Sequence, residues 1–348
     1  MSRSLRVGDR ADGPRLSIVV PTLADTTALE ETLVSVLENR PADCEVVVPL
    51  ACDYADPWGI GDEVRLVPAP ASTLAACINH GLDVCRADFV HVLAAGWRAT
   101  PDWTDGAVSA LASGAAAVAS LELAADDGGV VAAAGIAVSR GGRRTTLGRG
   151  LAADAVAASR IVPSAPTLGA GFWRRETLLQ AGGFSDRCGD ERADADMAAV
   201  LAAAGGPVVV DARARVVQGR PARAACGFVA GRQAERLFWR SWAARPTLGG
   251  LVAHAAEIVR DAAVSAPLGT LPMLVGRIAA ACEFGSCRAR SAALRDIAAA
   301  AAGIPAGVGD GGLEAGLADG RTLRIDAAEA VLTGPRRRRD QLPLRRSA

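Results

Sequence analysis

The sequence contains no lysine, because all 38 of its basic residues are arginine. This absence excludes a Schiff-base or general-base lysine, and it excludes the glycine-rich phosphate loop that ends in lysine. The 38 basic residues are balanced by 38 acidic ones, so the chain has no overall field that would attract a polyanion. We therefore expect no nucleic-acid partner.

Paired cysteines, long apolar runs and a signal peptide are also missing. The eight cysteines are scattered, and no two have the two-residue spacing of a zinc or redox pair. No uncharged apolar run approaches the length of a membrane span, and residues 1–15 lack the apolar core of a signal peptide. We expect reduced, mostly buried cysteines in a cytoplasmic protein.

Short apolar runs alternate with helical patterns along the first two thirds of the chain. Residues 16–20 form a continuous apolar run ended by Pro21, which is typical of a parallel strand buried on both faces. Further strands are predicted at residues 44–48, 64–67, 89–93, 116–123, 130–138, 168–174, 208–210 and 214–217, and helices at 27–37, 72–82, 103–112, 175–180 and 194–204. This order predicts an α/β fold with a mostly parallel central sheet.

The chain divides into four parts. We predict a flexible N-terminus over residues 1–15, the α/β domain over 16–220, a helical region over 221–303 and a loosely ordered basic tail over 304–348. Within the α/β domain, Thr27 and Glu30 have the spacing of a capping box, and residues 140–150 form a flexible basic loop.

The predicted strand at residues 89–93 is followed by the turn Ala94-Ala95-Gly96. In an open α/β sheet the loops at the carboxyl ends of the strands form the ligand crevice, so this turn should face a ligand. It contains no carboxylate. The first strand is followed by Pro21 and Thr22 without a glycine-rich turn, which argues against a dinucleotide-binding site.

Five segments, in this order and spacing, resemble the family 2 glycosyltransferases, which have the GT-A fold. They are residues 16–22 with 29–33, Asn79-His80-Gly81 before 87–90, 169–175 with 181–184, 194–197, and 208–210 with 214–217. The resemblance implies a GT-A-like nucleotide-sugar fold, with helices after it. It also implies a function: inverting transfer of a sugar from a nucleotide-diphosphate sugar to a carbohydrate or lipid-linked acceptor.

The resemblance assigns site residues as well. Asp194 matches the general base that takes the proton of the acceptor hydroxyl, although an aspartate stabilised by a helix N-terminus is an equal alternative. The donor-binding residues that it implies are Pro21, Thr22, Asp53, Asn79, Ala94, Ala95, Gly96 and Arg98. The acceptor-side residues are Trp173, Arg174 and Asp196.

The chain departs from the family at its carboxylates. Pro49 and Leu50 stand where the family has two aspartates, and Ala193 stands where it has glutamate. The metal-binding Asp-x-Asp falls on residues 94–96, whose side chains offer no oxygen to a hard cation. We therefore expect no cofactor, although the family implies a divalent cation.

Losing such a metal would remove several kcal/mol of charge stabilisation at the leaving phosphate. Arginine could replace it, since its planar guanidinium binds phosphate bidentately. The candidates are Arg98, Arg140, Arg143, Arg144, Arg174 and Arg175. Two hypotheses stay open: a metal-free glycosyltransferase, and a catalytically inactive relative that binds or scaffolds.

Aromatic residues and the arginine-rich end leave further alternatives. Trp97, Trp103 and Trp173 could stack on a sugar or belong to the core, and we interpret His91 as a core histidine. Arginines 336–339 and 345–346 either contact an anionic membrane surface peripherally or form a solvated tail.

Overall fold

The structure of the protein is a computed structural model. It describes residues 13–125, 128–219, 225–243, 246–283, 285 and 287–302. The strands are β1 (Leu16–Val19), β2 (Cys44–Leu50), β3 (Arg65–Pro68), β4 (Phe89–Val92), β5 (Arg98–Ala99), β6 (Ala117–Ala124), β7 (Val131–Ala133), β8 (Ile136–Val138), β9 (Arg144–Thr146), β10 (Gly171–Arg174) and β11 (Val208–Gln218).

Ten helices lie in the described part of the chain. They are α1 (Thr26–Asn39), α2 (Leu74–Val84), α3 (Asp105–Ala112), α4 (Ala153–Ala158), α5 (Arg175–Gln180), α6 (Asp190–Ala204), α7 (Gly227–Trp242), α8 (Leu248–Val264), α9 (Thr270–Ala281) and α10 (Cys287–Ala301). Of these, none is long and apolar enough to cross a membrane.

The main sheet has nine strands in the order β3-β2-β1-β4-β10-β6-β11-β5, with β7 paired to β6. β3, β2, β1 and β4 are mutually parallel. β10 is antiparallel to both of its neighbours, β4 and β6, so β6 and its parallel partner β11 point the same way as β4. The predicted α/β fold with a mostly parallel sheet is confirmed.

Both faces of the sheet are buried, which explains the continuous apolar run in β1. Successive strand side chains point to opposite faces. Val19 therefore lies in one core cluster with Ile78 of α2, while Ile18 lies in the other with Leu29 of α1. The helices cover both faces, and in open α/β sheets a ligand site lies at the carboxyl ends of the strands.

His91 on β4 is part of this core, as interpreted from the sequence. Its ring is stacked on Phe172 with 3.7 Å between centroids, and its Nδ1 lies 3.1 Å from the carbonyl oxygen of Gly171. Burial lowers the pKa of His91 to about 3. The neutral ring therefore donates from Nδ1 to that carbonyl and carries no charge to the site.

Several element boundaries differ from the prediction. α1 is capped by Asp25, whose carboxylate accepts from the backbone N–H of Ala28, and Thr27 lies inside the helix. The predicted flexible loop at 140–150 contains β9, which pairs with β8 in a separate two-stranded sheet. Residues 208–218 form one strand rather than two, with a register shift between Asp211 and Arg215.

α6 begins four residues earlier than predicted, at Asp190, where Asp190 and Glu191 occupy its first turn. Acidic residues in a first turn interact favourably with the helix dipole, so they extend the helix backwards. Asp194 therefore lies in the second turn. The alternative interpretation of Asp194 as a helix-terminal aspartate is wrong.

The C-terminal helices are joined to α6 by buried ion pairs. Asp196 of α6 is 2% exposed and accepts from Arg240 of α7 at 2.8 Å and from Arg290 of α10 at 2.7 Å. Burial alone would raise the pKa of Asp196, but Arg290 and Arg240 outweigh it and lower this pKa. The acceptor-side role predicted for Asp196 is therefore corrected to a framework role.

Replacing Asp196 by alanine should destabilise the protein by about 3–5 kcal/mol, since it leaves two buried guanidinium groups without their carboxylate. Urea unfolding at neutral pH measures the change. The matched control is the exposed Asp53 changed to alanine, for which we expect a change below about 0.5 kcal/mol. Equal stability of the two variants would disprove the framework role.

Acid should weaken the same contact. A carboxyl group whose pKa is lower in the folded state stabilises the protein above its unfolded pKa, and this contribution is lost as pH falls through the folded pKa. The wild type should therefore lose stability below the ordinary aspartate value of 3.8. The Asp196→Ala variant should show a smaller loss over that range.

Candidate functional site

The turn after β4 is held rigidly at the carboxyl edge of the sheet. The backbone N–H of Ala94 donates to the carbonyl of Gly169 at 2.9 Å, and that of Gly96 donates to the Thr32 hydroxyl at 2.8 Å. Gly96 has φ +91°, which an L side chain rarely adopts. A Cβ on Gly219 would lie 2.0 Å from the Gly96 carbonyl oxygen, so the backbones of the two glycines are in close contact.

Pro21 and Thr22 lie beside this turn. The Pro21 carbonyl accepts from the N–H of Ala95 at 3.4 Å, and the Thr22 N–H donates to Pro49 at 3.0 Å. The Thr22 hydroxyl is buried and has no hydrogen-bond partner among the described residues. The structure thus brings together the ends of β1, β2 and β4, as a ligand crevice requires.

The two aspartates that follow β2 differ in what they can do. Asp56 is bound within its own segment, because its carboxylate accepts from the N–H groups of Ile60 and Gly61 at 2.9 and 3.1 Å. Asp53 is exposed. Its donor-binding role stays a prediction.

Asn79 clamps α2 to the loop after α5. Its amide nitrogen donates to the Phe184 carbonyl at 2.9 Å, and its amide oxygen accepts from the Phe184 N–H at 2.8 Å. The loop passes so closely that a Cβ on Gly183 would lie 2.5 Å from the Asn79 oxygen. Donor binding by Asn79 remains untested, and its amide is already bonded within the fold.

Arg98 is the arginine nearest in sequence to the turn. It is exposed and lies in the short strand β5, opposite Val217 of β11. Trp97 is half-buried, and its indole packs against Gly169, so it lines the turn. Trp103 is fully buried and belongs to the core.

Asp194 is paired with Arg144 beside the same turn. The Arg144 Nε donates to Oδ1 at 2.8 Å and its Nη2 donates to Oδ2 at 2.6 Å. Oδ2 also accepts from the N–H of Leu168 at 3.3 Å, the residue before Gly169. Burial alone would lower the pKa of Arg144, but the Asp194 carboxylate outweighs it and raises this pKa. The Arg144 guanidinium therefore stays charged in this contact.

A second carboxyl group, Glu122 of β6, lies close to this ion pair and was not predicted. It is 1% exposed and accepts a hydrogen bond from the Thr167 hydroxyl. Burial raises its pKa to about 8, and Arg144 counteracts only part of that rise. A lone glutamate in the otherwise uncharged run of residues 115–124 was the signal in the sequence.

The register of β10 moves two predicted residues away from the crevice. Arg174 is opposite Phe89, at the amino end of β4, and five residues at about 3.3 Å each separate Phe89 from Ala94. The Arg174 guanidinium donates to the carbonyls of Ala115 and Leu111. Arg175 also lies at this end. The predicted roles of Arg174 at the acceptor and of both arginines at the diphosphate are wrong.

Trp173 lies in the core, and Arg143 of the predicted basic loop is bonded to a C-terminal helix. Trp173 is 1% exposed and packs edge-on against Phe184, so its ring has no face open to a sugar. Its predicted acceptor-side role is corrected to a core role. Arg143 donates to Glu257 of α8 at 3.0 Å, and Arg140 is exposed.

The turn at residues 94–96 has no side-chain oxygen that could bind a metal. Within the described ranges, no group of three His, Cys, Asp or Glu side chains is placed to hold a metal ion. The turn at residues 94–96 offers only methyl groups and hydrogen, which do not fit a divalent cation.

Comparison with solved structures identifies the fold. GalNAc-T7, solved with UDP, GalNAc and Mn²⁺, matches with a TM-score of 0.51 and 13% identity over 68% of this chain. The match covers 51% of that structure, so this chain spans about half its length. The protein has a GT-A-like glycosyltransferase fold.

Two further structures are similar at lower scores. The mannosyltransferase PcManGT from Pyrobaculum calidifontis, solved with GDP-Man and Mn²⁺, has a TM-score of 0.44 and 18% identity over 83% of this chain and 87% of its own. TarS 1-349 from S. aureus has a TM-score of 0.45 and 11% identity over 83% and 92%. No protein-family model and no curated protein matches the sequence.

Glu122 should make stability fall as pH rises. Its folded pKa of about 8 lies above the ordinary value of 4.5, so the stability from the protonated form is complete below pH 4.5 and is lost as pH rises through 8. The slope can reach about 1.4 kcal/mol per pH unit. Glu122→Gln should flatten it in urea unfolding measured across this range.

The exposed Glu176 changed to glutamine is the control and should keep the wild-type slope. If Glu122→Gln has the same pH dependence as the wild type, Glu122 is not protonated in the folded protein.

Proposed function

We propose that this protein is a divergent family 2 glycosyltransferase that transfers a sugar from a nucleotide-diphosphate sugar to an acceptor hydroxyl, with inversion and without a bound metal. One observation carries the proposal. The carboxylate of Asp194 and the guanidinium of Arg144 meet next to the turn at residues 94–96, through the segment Leu168–Gly169 that is bonded to both.

The donor diphosphate lies at the turn in this proposal. Alanine and glycine side chains allow close approach of the phosphates to the backbone. The negative charge of the phosphates requires a cation. Arg98 is exposed two residues past Gly96. Arginine binds phosphate oxygens bidentately, so it supplies charge at the position where the family uses a metal.

Asp194 is the base. As the acceptor oxygen forms its bond to the anomeric carbon, the bond from that carbon to the phosphate oxygen breaks and its electron pair goes to the diphosphate. The acceptor proton passes to Asp194. Its two oxygens have about four acceptor positions, and Arg144 and Leu168 occupy three of them.

Asp194 is only 1% exposed, so its carboxylate must be uncovered before an acceptor reaches it. We infer that the donor diphosphate competes with Asp194 for Arg144. Movement of Arg144 to the phosphates would both free the base and add charge at the leaving group. Arg144 can take this role because its side chain is 24% exposed.

A catalytically inactive binding or scaffolding protein is the second candidate. The same ion pair favours it, because a carboxylate bound bidentately by arginine and buried from solvent is a stable structural unit. The missing carboxylates of the turn also favour it. Donor binding and turnover separate the two candidates.

Arg98→Ala should weaken donor binding about 10- to 100-fold, the effect of losing a hydrogen-bonded charge of about 1.5–3 kcal/mol. Calorimetric titration with UDP- and GDP-sugars, with and without manganese, measures it. The wild type should bind one donor equally well in both conditions. Arg86→Ala is the control, since Arg86 is exposed just before the amino end of β4.

Two results would contradict the role of Arg98: binding that requires manganese, or an Arg98→Ala variant with wild-type affinity. If no UDP- or GDP-sugar binds, the transferase proposal fails and the inactive protein remains.

Asp194→Asn should reduce transfer about 10²- to 10⁴-fold, the contribution of a general base, while donor affinity is kept or rises, because asparagine competes less strongly than aspartate for Arg144. Turnover with the bound donor and calorimetry measure the two effects separately. The exposed Asp186, changed to asparagine, should retain activity. Wild-type turnover by Asp194→Asn would remove this residue from the mechanism.

A further inference from the structure

The outer surface of α8, α9 and the segment joining them is almost uncharged. Twenty residues between 246 and 282 are exposed, and Arg260 is the only charged one among them. Its large members, between 47% and 90% exposed, are Leu248, Val252, Val259, Val264, Leu268, Leu271, Val275 and Ile278. We call this surface the α8–α9 apolar face. Charged residues make up 22% of the whole chain, so this face is unlike the rest of the molecule.

The apolar side chains follow helical spacing. On α9, Leu271, Val275 and Ile278 are four and three residues apart, and on α8, Leu248 and Val252 are four apart. Residues at these spacings lie on one side of a helix. The exposed apolar side chains therefore form a continuous stripe on each helix. Isolated exposed apolar side chains are normal on a protein surface, but a continuous stripe indicates a binding surface.

The inner sides of the two helices carry the polar groups instead. His254 of α8 contacts the Glu235 carboxylate of α7 at 3.0 Å, and Arg277 of α9 donates to the same carboxylate at 2.9 Å. Arg277 also donates to Asp261 at 2.6 Å. All three of Glu235, His254 and Arg277 are buried.

These buried contacts fix the orientation of α8 and α9. The helices cannot rotate to bury their apolar stripes without breaking buried charge contacts, which is strongly unfavourable. Their outer sides are apolar, which is the reverse of a helix on a water-facing surface, and their inner sides hold buried polar groups beside Met273 and Ala280.

We propose that the α8–α9 apolar face docks in the interface of an anionic lipid bilayer. α8 and α9 have 17 and 12 residues, fewer than the roughly 20 needed to cross a bilayer, so they would lie in its plane. The one fully exposed charge on the face is the cation Arg260, which is paired with the partly exposed carboxylates of Asp261 and Glu257. An interfacial helix of this kind inserts its apolar side to the level of the headgroups.

The sequence beyond the described residues supplies a second signal of matching charge. Residues 334–348 contain six arginines and a single acidic residue, a composition that anionic lipids attract. An apolar face together with a basic segment gives the two signals that stable peripheral attachment requires. This inference is independent of the proposed transferase function.

Flotation of the full chain with vesicles tests the proposal. Wild-type protein should float with vesicles of equal parts phosphatidylcholine and phosphatidylglycerol, and far less with phosphatidylcholine alone or in high salt. Val259→Glu combined with Ile278→Glu should abolish flotation, because charge is expelled from the acyl region. Arg345→Ser should weaken partition about fivefold, the effect of one basic residue near the surface.

Val162→Glu is the matched control, because Val162 and Val259 are both 70% exposed and Val162 lies outside the face. It should float like the wild type. The proposal is overturned if the wild type does not bind anionic vesicles, or if the double variant binds them as well as the control does. Sedimentation velocity tests whether a second copy of the chain covers the face instead. If the wild type is a dimer that does not bind vesicles, and the double variant is a monomer, the face is a dimer interface and the proposal is overturned.

Discussion

The candidate site depends on one reversal of direction in the sheet. β10 is inserted antiparallel between β4 and β6. The amino end of β10 therefore lies beside the carboxyl ends of β4 and β6. The segment that leads into β10, containing Thr167, Leu168 and Gly169, is therefore delivered to the crevice. The end of β10, with Arg174, points to the opposite edge. This segment is hydrogen-bonded to the turn, to Asp194 and to Glu122.

The helical region takes part in forming the site through the hairpin that carries Arg144. Its turn is held by α8, where Glu257 accepts from Ser139 and Arg143 and His254 lies 3.0 Å from the Gly141 carbonyl. The hairpin then presents Arg144 to Asp194. His254 belongs to both sets of contacts, because its other ring nitrogen lies 3.0 Å from the Glu235 carboxylate in the buried cluster that orients α8 and α9.

The turn at residues 94–96 has no carboxylate, and the ion pair of Arg144 and Asp194 lies nearby. A metal site would need oxygen ligands converging on one point. In this chain the charges near the turn are Arg98, Arg144 and Asp194, and the nearby Glu122 is kept neutral at ordinary pH by burial. In the proposed function, a diphosphate opens the ion pair of Arg144 and Asp194, whose charges compensate each other until the ligand arrives.

Local pattern was sufficient for the parallel strands β1, β2 and β4 and for the turn at their carboxyl edge. The apolar runs of β1, β2 and β4, and the turn at residues 94–96, depend on contacts that any buried parallel strand makes, and so they were predictable from the sequence. The family resemblance also placed Asp194 near this turn. Glu122 is visible in the sequence as a lone acidic residue in an apolar strand. Only its burial in the structure shows that its pKa is raised.

The partners of these side chains were decided by the tertiary structure. Asn79 to Phe184, Arg144 to Asp194 and Asp196 to Arg290 join residues that are 105, 50 and 94 positions apart, and no local spacing encodes such pairs. The direction of β10 was equally invisible, because an apolar strand has the same sequence pattern in either orientation. A strand's pattern depends on which faces are buried, whereas its direction depends on the path of the chain between elements. For this reason the sequence by itself determined where a site could be, and only the packed structure decided which charges reach it.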